Sequence, residues 1–235
     1  MNGIIEKIRA DLRLFADEKT RLQGERFFKE DIKLYGLKAA RVTELAKTYF
    51  KLIPERSKKK VFELCEELWR SGYAEEGFIA CEWSYSVRKE YVRDDFAVFG
   101  RWVHKYITNL ATCDTLCNHT VGKFIEMYPE FISDLKKWAH SDNRWVKRAS
   151  AVSFIVPARK GMFLTVIFEI ADILHSASDD MVRKGYGWML KAASQAHQKE
   201  VFDYVMKRKA TMPRTSLRYA IEKMPQELKK LAMAR

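Results

Sequence analysis

With 235 residues, 47% of them hydrophobic, the chain is long and apolar enough to bury a sizeable core, which excludes intrinsic disorder. It carries 43 Lys and Arg against 31 Asp and Glu, and the excess is uneven: 18 against 9 in residues 141–235, but 25 against 22 in residues 1–140. No run of about 18 apolar residues occurs, Met1 to Asp17 alternates charged and apolar residues, and the four cysteines form no dense framework. No membrane span, secretory leader or disulfide scaffold is therefore expected, and a reducing cytoplasm is the simplest setting.

In chain order, Gly3 to Phe15 is predicted as a lone helix capping one end of a stack. Val61, Leu64, Cys65, Leu68 and Trp69 follow the i, i+3, i+4, i+7, i+8 spacing of one buried helical face, and Phe163, Val166, Ile167, Ile170 and Leu174 nearly repeat it. Breakers separate such segments: Gly36, Pro54, Ser71-Gly72, Asp94-Asp95, Pro129, Ser141-Asp142-Asn143, Gly161, Ser178-Asp179-Asp180, Pro213 and Pro225. Asp and Ser before a helix cap its free N–H groups, and Pro fits its first turn. The pattern gives about a dozen helices and no strand. With short turns and no low-complexity linker, residues 1–235 are expected to form a single all-α domain.

A repeat sharpens this fold class. Val146-Lys147-Arg148-Ala149 aligns with Val182-Arg183-Lys184-Gly185 and with Leu217-Arg218-Tyr219-Ala220, at offsets of 36 and 35 residues. Each copy places an apolar residue, one or two bases and a small residue at the start of a second helix. That period predicts an α-α superhelix of HEAT-like two-helix repeats, whose equivalent helices line one wall. Bases repeated at one phase would make a stripe suited to a polyanion, although a solvated basic surface gives the same composition.

Trp69, Trp83, Trp102 and Trp138 lie in apolar periodic segments and belong to the core; Trp145 and Trp188 differ in adjoining the repeated bases. Gly185 and Gly187 weaken a helix interior, so either tight helix packing or close approach of a backbone or ligand must favour them. Asp114, in Thr112-Cys113-Asp114-Thr115, serves equally as a helix cap or as a functional carboxylate. Cys113, Cys117 and His119 lack a second ligand pair at zinc spacing, and no metal is expected.

Four blocks in order resemble the AlkD-like DNA alkylation repair glycosylases: Cys113-Asp114-Thr115-Leu116-Cys117 with Gly122, Asn143 to Ala149, Lys184 to Lys191, and Pro213 to Glu222. The N-terminal half is similar mainly in helical pattern and in the stretch from Phe27 to Gly36. The resemblance implies excision of cationic N3- or N7-alkylated purines from double-stranded DNA by a monomer with no cofactor and no membrane partner, without enclosing the base in a pocket. Asp114 matches the carboxylate that stabilises the sugar cation and orients water, Arg148 the arginine that grips phosphate beside the lesion, and Trp188 an aromatic wall. Lys147, Arg183, Lys184, Arg214 and Arg218 become candidate phosphate contacts.

The chain departs from the family in two wall positions. Leu110 stands where the family has a tryptophan four residues before the carboxylate, and Phe27 where it can have a tyrosine. Both bear on rate and substrate range more than on DNA binding. Two further readings stay open: a non-catalytic helical-repeat protein that binds DNA or damaged DNA, and a scaffold for an acidic protein.

Overall fold

The computed structural model describes residues 3–28 and 31–234, so Met1, Asn2 and part of the stretch from Phe27 to Gly36 lie outside the described residues. The chain forms two compact units, Met1–Leu116 and Cys117–Arg235. The described residues are all-α as expected, with a parallel bridge between Lys33 and Tyr73 and no strand. No described helix is long and apolar enough to cross a membrane.

The first unit contains α1 (Gly3–Leu14), α2 (Glu18–Phe27), α3 (Ala39–Lys51), α4 (Lys58–Arg70), α5 (Ala74–Ser86), α6 (Asp95–Tyr106) and α7 (Leu110–Thr115). The stripe foreseen in α4 is the buried one: Val61, Leu64, Cys65, Leu68 and Trp69 all face the core, on which α5 packs. Ser57 caps the helix, its hydroxyl accepting the Lys60 N–H. Two buried carboxylates organise the rest. Glu75 accepts N–H bonds from Tyr35 (3.1 Å), Gly36 (2.8 Å) and Leu37 (3.2 Å), while Glu76 accepts from Arg9 Nη2 (3.1 Å) and Tyr35 Oη (2.8 Å). Such charges stay buried only because each is surrounded by donors. Gly36 makes the loop possible, with φ at +99° and a Cβ position that would stand 2.4 Å from the Asp17 carbonyl oxygen.

The second unit contains α8 (Gly122–Met127), α9 (Ile132–Ala139), α10 (Arg144–Val152), α11 (Ile155–Arg159), α12 (Leu164–Leu174), α13 (Asp180–Ala193), α14 (Gln198–Arg208), α15 (Arg214–Ile221) and α16 (Gln226–Met233). The sequence repeat is physical here. Helix α10 packs on α13 and α13 on α15, and their aligned apolar residues Val146, Val182 and Leu217 are fully buried, as are the small residues Ala149, Gly185 and Ala220. Asn143 and Asp179 cap α10 and α13, accepting the N–H groups of Trp145 at 2.8 Å and Met181 at 2.8 Å. In α12 the predicted stripe begins one residue early: Phe163 precedes the helix in the left-handed region at φ 63°.

Side-chain bonds repeat at the same interval within each unit. In the first, Tyr49 donates to Asp11 across 38 residues and Trp83 Nε1 to the Ala46 carbonyl across 37. In the second, Ser216 donates to the Arg183 carbonyl across 33 residues and Tyr204 to Asp172 across 32. Trp69, Trp83, Trp102 and Trp138 are core residues as expected, and Trp145 joins them, buried with the Arg144 guanidinium 5.0 Å from its ring.

Gly187 shows how closely α13 and α15 approach: a Cβ there would lie 2.9 Å from the Ser216 carbonyl oxygen, 3.0 Å from Ser216 Cα and 2.8 Å from Tyr219 Cβ. Alanine gains about 1 kcal/mol of helix propensity, but overpacking against backbone that cannot rotate away costs about 1–3 kcal/mol. Gly187→Ala is therefore expected to lower stability by about 1 kcal/mol or more, read as a fall in the urea midpoint; a rise would show that α15 yields freely.

Candidate functional site

Among the sequence-predicted residues, Phe27, Leu110 and Asp114 lie in the first unit and the basic residues with Trp188 in the second. The start of helix α7 is fixed by Asn109, whose Oδ1 accepts the Thr112 N–H at 2.9 Å and the Thr112 hydroxyl at 3.1 Å. Asp114 is the fifth of six residues in this helix and half-buried, so it is not the N-cap; of its two sequence readings, the cap is removed. Leu110 opens the helix, also half-buried, one turn before Asp114. Phe27 closes α2 and is 71% exposed, its ring edge-on to Phe28 at 5.2 Å. After Thr115 the backbone turns π-helical from Leu116 to Val121, a geometry frequent at functional sites and silent in the sequence. Cys113 and Cys117 are buried, and no group of His, Cys, Asp or Glu among the described residues is placed to hold a metal ion.

In the second unit the predicted bases occupy successive helices of one stack. Arg148 is 3% exposed, its Nη1 donating to the Met181 carbonyl on α13. Gly185 makes room for it: a Cβ at that position would lie 3.2 Å from Arg148 Cγ and 3.3 Å from Nη1. Both unusual glycines of α13 thus answer to packing, one against an arginine and one against a helix backbone. Lys184, next in register to Arg148, pairs with Asp180 at 2.8 Å, which raises its pKa. Arg183 Nε donates to the Ala177 carbonyl at 2.7 Å. Lys147 is half-buried, Arg218 exposed, and Arg214 exposed with Nη2 3.3 Å from the Met233 carbonyl oxygen. Trp188 is half-buried one turn beyond Lys184.

Two parts of this arrangement escape sequence reasoning. Asp179 caps α13 and at the same time pairs with Arg144 Nε at 2.9 Å, so it ties the start of one helix to the start of the next. Lys191 extends the basic set along α13, pairing with Glu222 at 2.9 Å and standing 5.3 Å from the Tyr219 ring. The repeat register supplied a signal for the first, since Asn143 and Asp179 are one period apart. For Lys191 the signal was its place beside Trp188 in the third resembling block. Chemically, cations spaced one repeat apart offer a row of phosphate contacts, and partly exposed carboxylate partners such as Asp180 and Glu222 are weak competitors for them.

The family model described as DNA alkylation repair enzyme matches residues 8–224. A solved structure of a predicted DNA alkylation repair enzyme from Enterococcus faecalis is similar in fold, with a TM-score of 0.78 and 13% identity, covering 89% of this chain and 97% of that one. No curated protein sequence matches the chain.

The double role of Asp179 is separable. Asp179→Ala removes the cap and the ion pair, and a loss of about 1–2 kcal/mol is expected in urea denaturation, the scale of an N-cap. Asp179→Asn keeps the cap and should recover most of it, because a half-exposed ion pair contributes little. If the asparagine variant is as unstable as the alanine one, the ion pair and not the cap carries the effect.

Proposed function

The chain belongs to the DNA alkylation repair enzyme family, and from that premise we propose that it is a DNA glycosylase that hydrolyses the N-glycosidic bond of cationic N3- or N7-alkylated purines in double-stranded DNA. The observation that carries the reading is the position of Asp114, half-buried in the body of α7, whose N-cap is Asn109. An alkylated purine bears positive charge before reaction. It leaves as a neutral molecule with the electron pair of the C1′–N bond, so little general acid is needed. Positive charge then develops on the deoxyribose, and a fixed carboxylate lowers the cost of that state. Asp114 is assigned this role and the orientation of the water whose oxygen bonds C1′, its proton passing to the carboxylate or to solvent.

Arg148 is assigned to phosphate beside the lesion and Trp188 to an aromatic wall against the sugar, where a π-face attracts the developing cation. Lys147, Arg183, Lys184, Arg214 and Arg218 hold the backbone of the duplex, and Phe27 and Leu110 complete the apolar wall. The protein acts as a monomer. Leu110 favours a second reading, a DNA-binding module without turnover, because its side chain offers bulk without a π-face.

Two measurements test these assignments. Log affinity for duplex DNA is expected to fall linearly with log salt, with a slope of about −0.9 for each phosphate neutralised; binding insensitive to salt rejects a nucleic-acid partner. Asp114→Asn is expected to keep fold and DNA affinity while slowing base release from N7-methylguanine DNA by about 10²-fold or more. Equal rates in the two proteins remove Asp114 from catalysis, and no release by the parent despite normal binding selects the second reading.

A further inference from the structure

The helices of the first unit stand in two rows: α3, α5 and α7 pack in succession, α1, α4 and α6 do the same, and α4 lies on α5. Asp114 belongs to the first row. The second row carries a groove of about 420 Å³ where α1 and α4 meet the end of α3. Its wall is chiefly aliphatic, built from Ile4, Leu52, Ile53 and Leu64, and its charged side chains are Lys7 and Lys60, with no acid in the lining. Ile53 and Leu64 are buried, while Leu52 is 59% exposed and stands at the rim. The chain that turns past this rim is strongly basic. Residues 51–60 hold Lys51, Arg56, Lys58, Lys59 and Lys60 against Glu55, whereas the whole unit holds 22 bases against 19 acids. One stretch thus accounts for the entire positive charge of the unit.

Much of that charge has no internal duty. Lys58 pairs with Asp95 at 2.8 Å, and Lys60 with Glu63 at 3.7 Å in a partly exposed pair that contributes little. Among the described residues, the side chains of Lys7, Lys51, Arg56 and Lys59 form no hydrogen bond or ion pair. An aliphatic recess beside unpaired cations is complementary to an acidic segment that carries aliphatic anchors. The apolar surface is recessed, and of its large apolar side chains only Leu52 is exposed. That form receives side chains inserted by a partner, whereas binding a bilayer requires apolar groups that project from the protein. We propose that this groove docks a short acidic and aliphatic segment of a partner protein. Leu52 and its neighbours take the aliphatic side chains, and Lys7, Lys60 and the other free cations of residues 51–60 hold the carboxylates. Docking there does not depend on the glycosylase reading. Lys7 and Lys60 belong to the row without Asp114, so the partner segment and a duplex at Asp114 are held at the same time.

The probe is a displayed library of random dodecapeptides, panned against the full chain at low salt, with the enriched peptides then measured by fluorescence anisotropy. Enriched sequences are expected to combine Asp or Glu with Leu, Ile or Val. Their affinity should fall about tenfold in the double variant Lys7→Glu, Lys60→Glu and about tenfold in Leu52→Gln, the scale of rim charges set against like charge and of one lost aliphatic anchor. None of the three side chains is buried, so both variants should keep the parent's urea midpoint and its affinity for duplex DNA. No enrichment, enrichment without acidic residues, or peptides that bind the parent and both variants equally overturn the proposal. A fall in duplex affinity as large as the fall for the peptides also overturns it and reassigns the groove to nucleic acid. Sedimentation of the parent with phosphatidylglycerol vesicles, lost in Leu52→Gln, overturns it in favour of a membrane surface.

Discussion

The constraint on which this structure depends is that a helix of the second unit cannot bury its apolar face by itself and must lay it on the helix one period away. Val146, Val182 and Leu217 disappear from solvent only because α10, α13 and α15 lie against one another in succession. Everything notable about α13 follows from its middle position. It has to accept a neighbour on both sides, so Gly185 gives way to the Arg148 side chain and Gly187 to the backbone of α15. The polar groups obey the same spacing, with Arg183 and Ser216, Asp172 and Tyr204, and Gly161 and His197 joined across a single period.

Much of this fold was legible because its signals are local or periodic. The α4 stripe, the caps Asn143 and Asp179 and the register of the three basic blocks each depend on a spacing visible in the chain, and each stands where that spacing puts it. What remained hidden depends on partners distant in sequence. Glu75 and Glu76 look like two ordinary acidic residues at the start of a helix, and only Arg9, Tyr35 and the loop through Gly36 turn them into buried anchors. Trp145 stands next to a base in sequence and faces inward in space, since neighbours in a helix point about 100° apart. The π-helical turn after Thr115 has no compositional mark at all.

The candidate site was legible to a different degree. Residue types and order singled out Asp114, Arg148 and Trp188, and the structure refined their surroundings by assigning the cap of α7 to Asn109 and by covering Arg148 almost entirely. A guanidinium so covered has paid for its desolvation in the folded state, and its Met181 bond fixes the direction in which it points. Lys147 and Arg218, which share a register one position earlier in the repeat, are by contrast half-buried and exposed.

The one-period reach of the polar bonds also sets how the chain is assembled. Loop closure becomes costlier with the length of chain it encloses, and folding slows as the mean sequence separation of contacts grows. Here bonds such as Ser216 to Arg183 and Trp83 to Ala46 close 33 and 37 residues, a small part of 235. Arg9 is an exception in kind, reaching Glu76 across 67 residues, about two periods. Order can therefore spread from any well-formed pair of helices to its neighbour, each step closing one short loop, and the bond from α1 to Glu76 is among the last whose ends are brought within reach. During synthesis α1 meets α3 first, through the bond from Tyr49 to Asp11, and its Arg9 stays without the Glu76 carboxylate until α5 has formed.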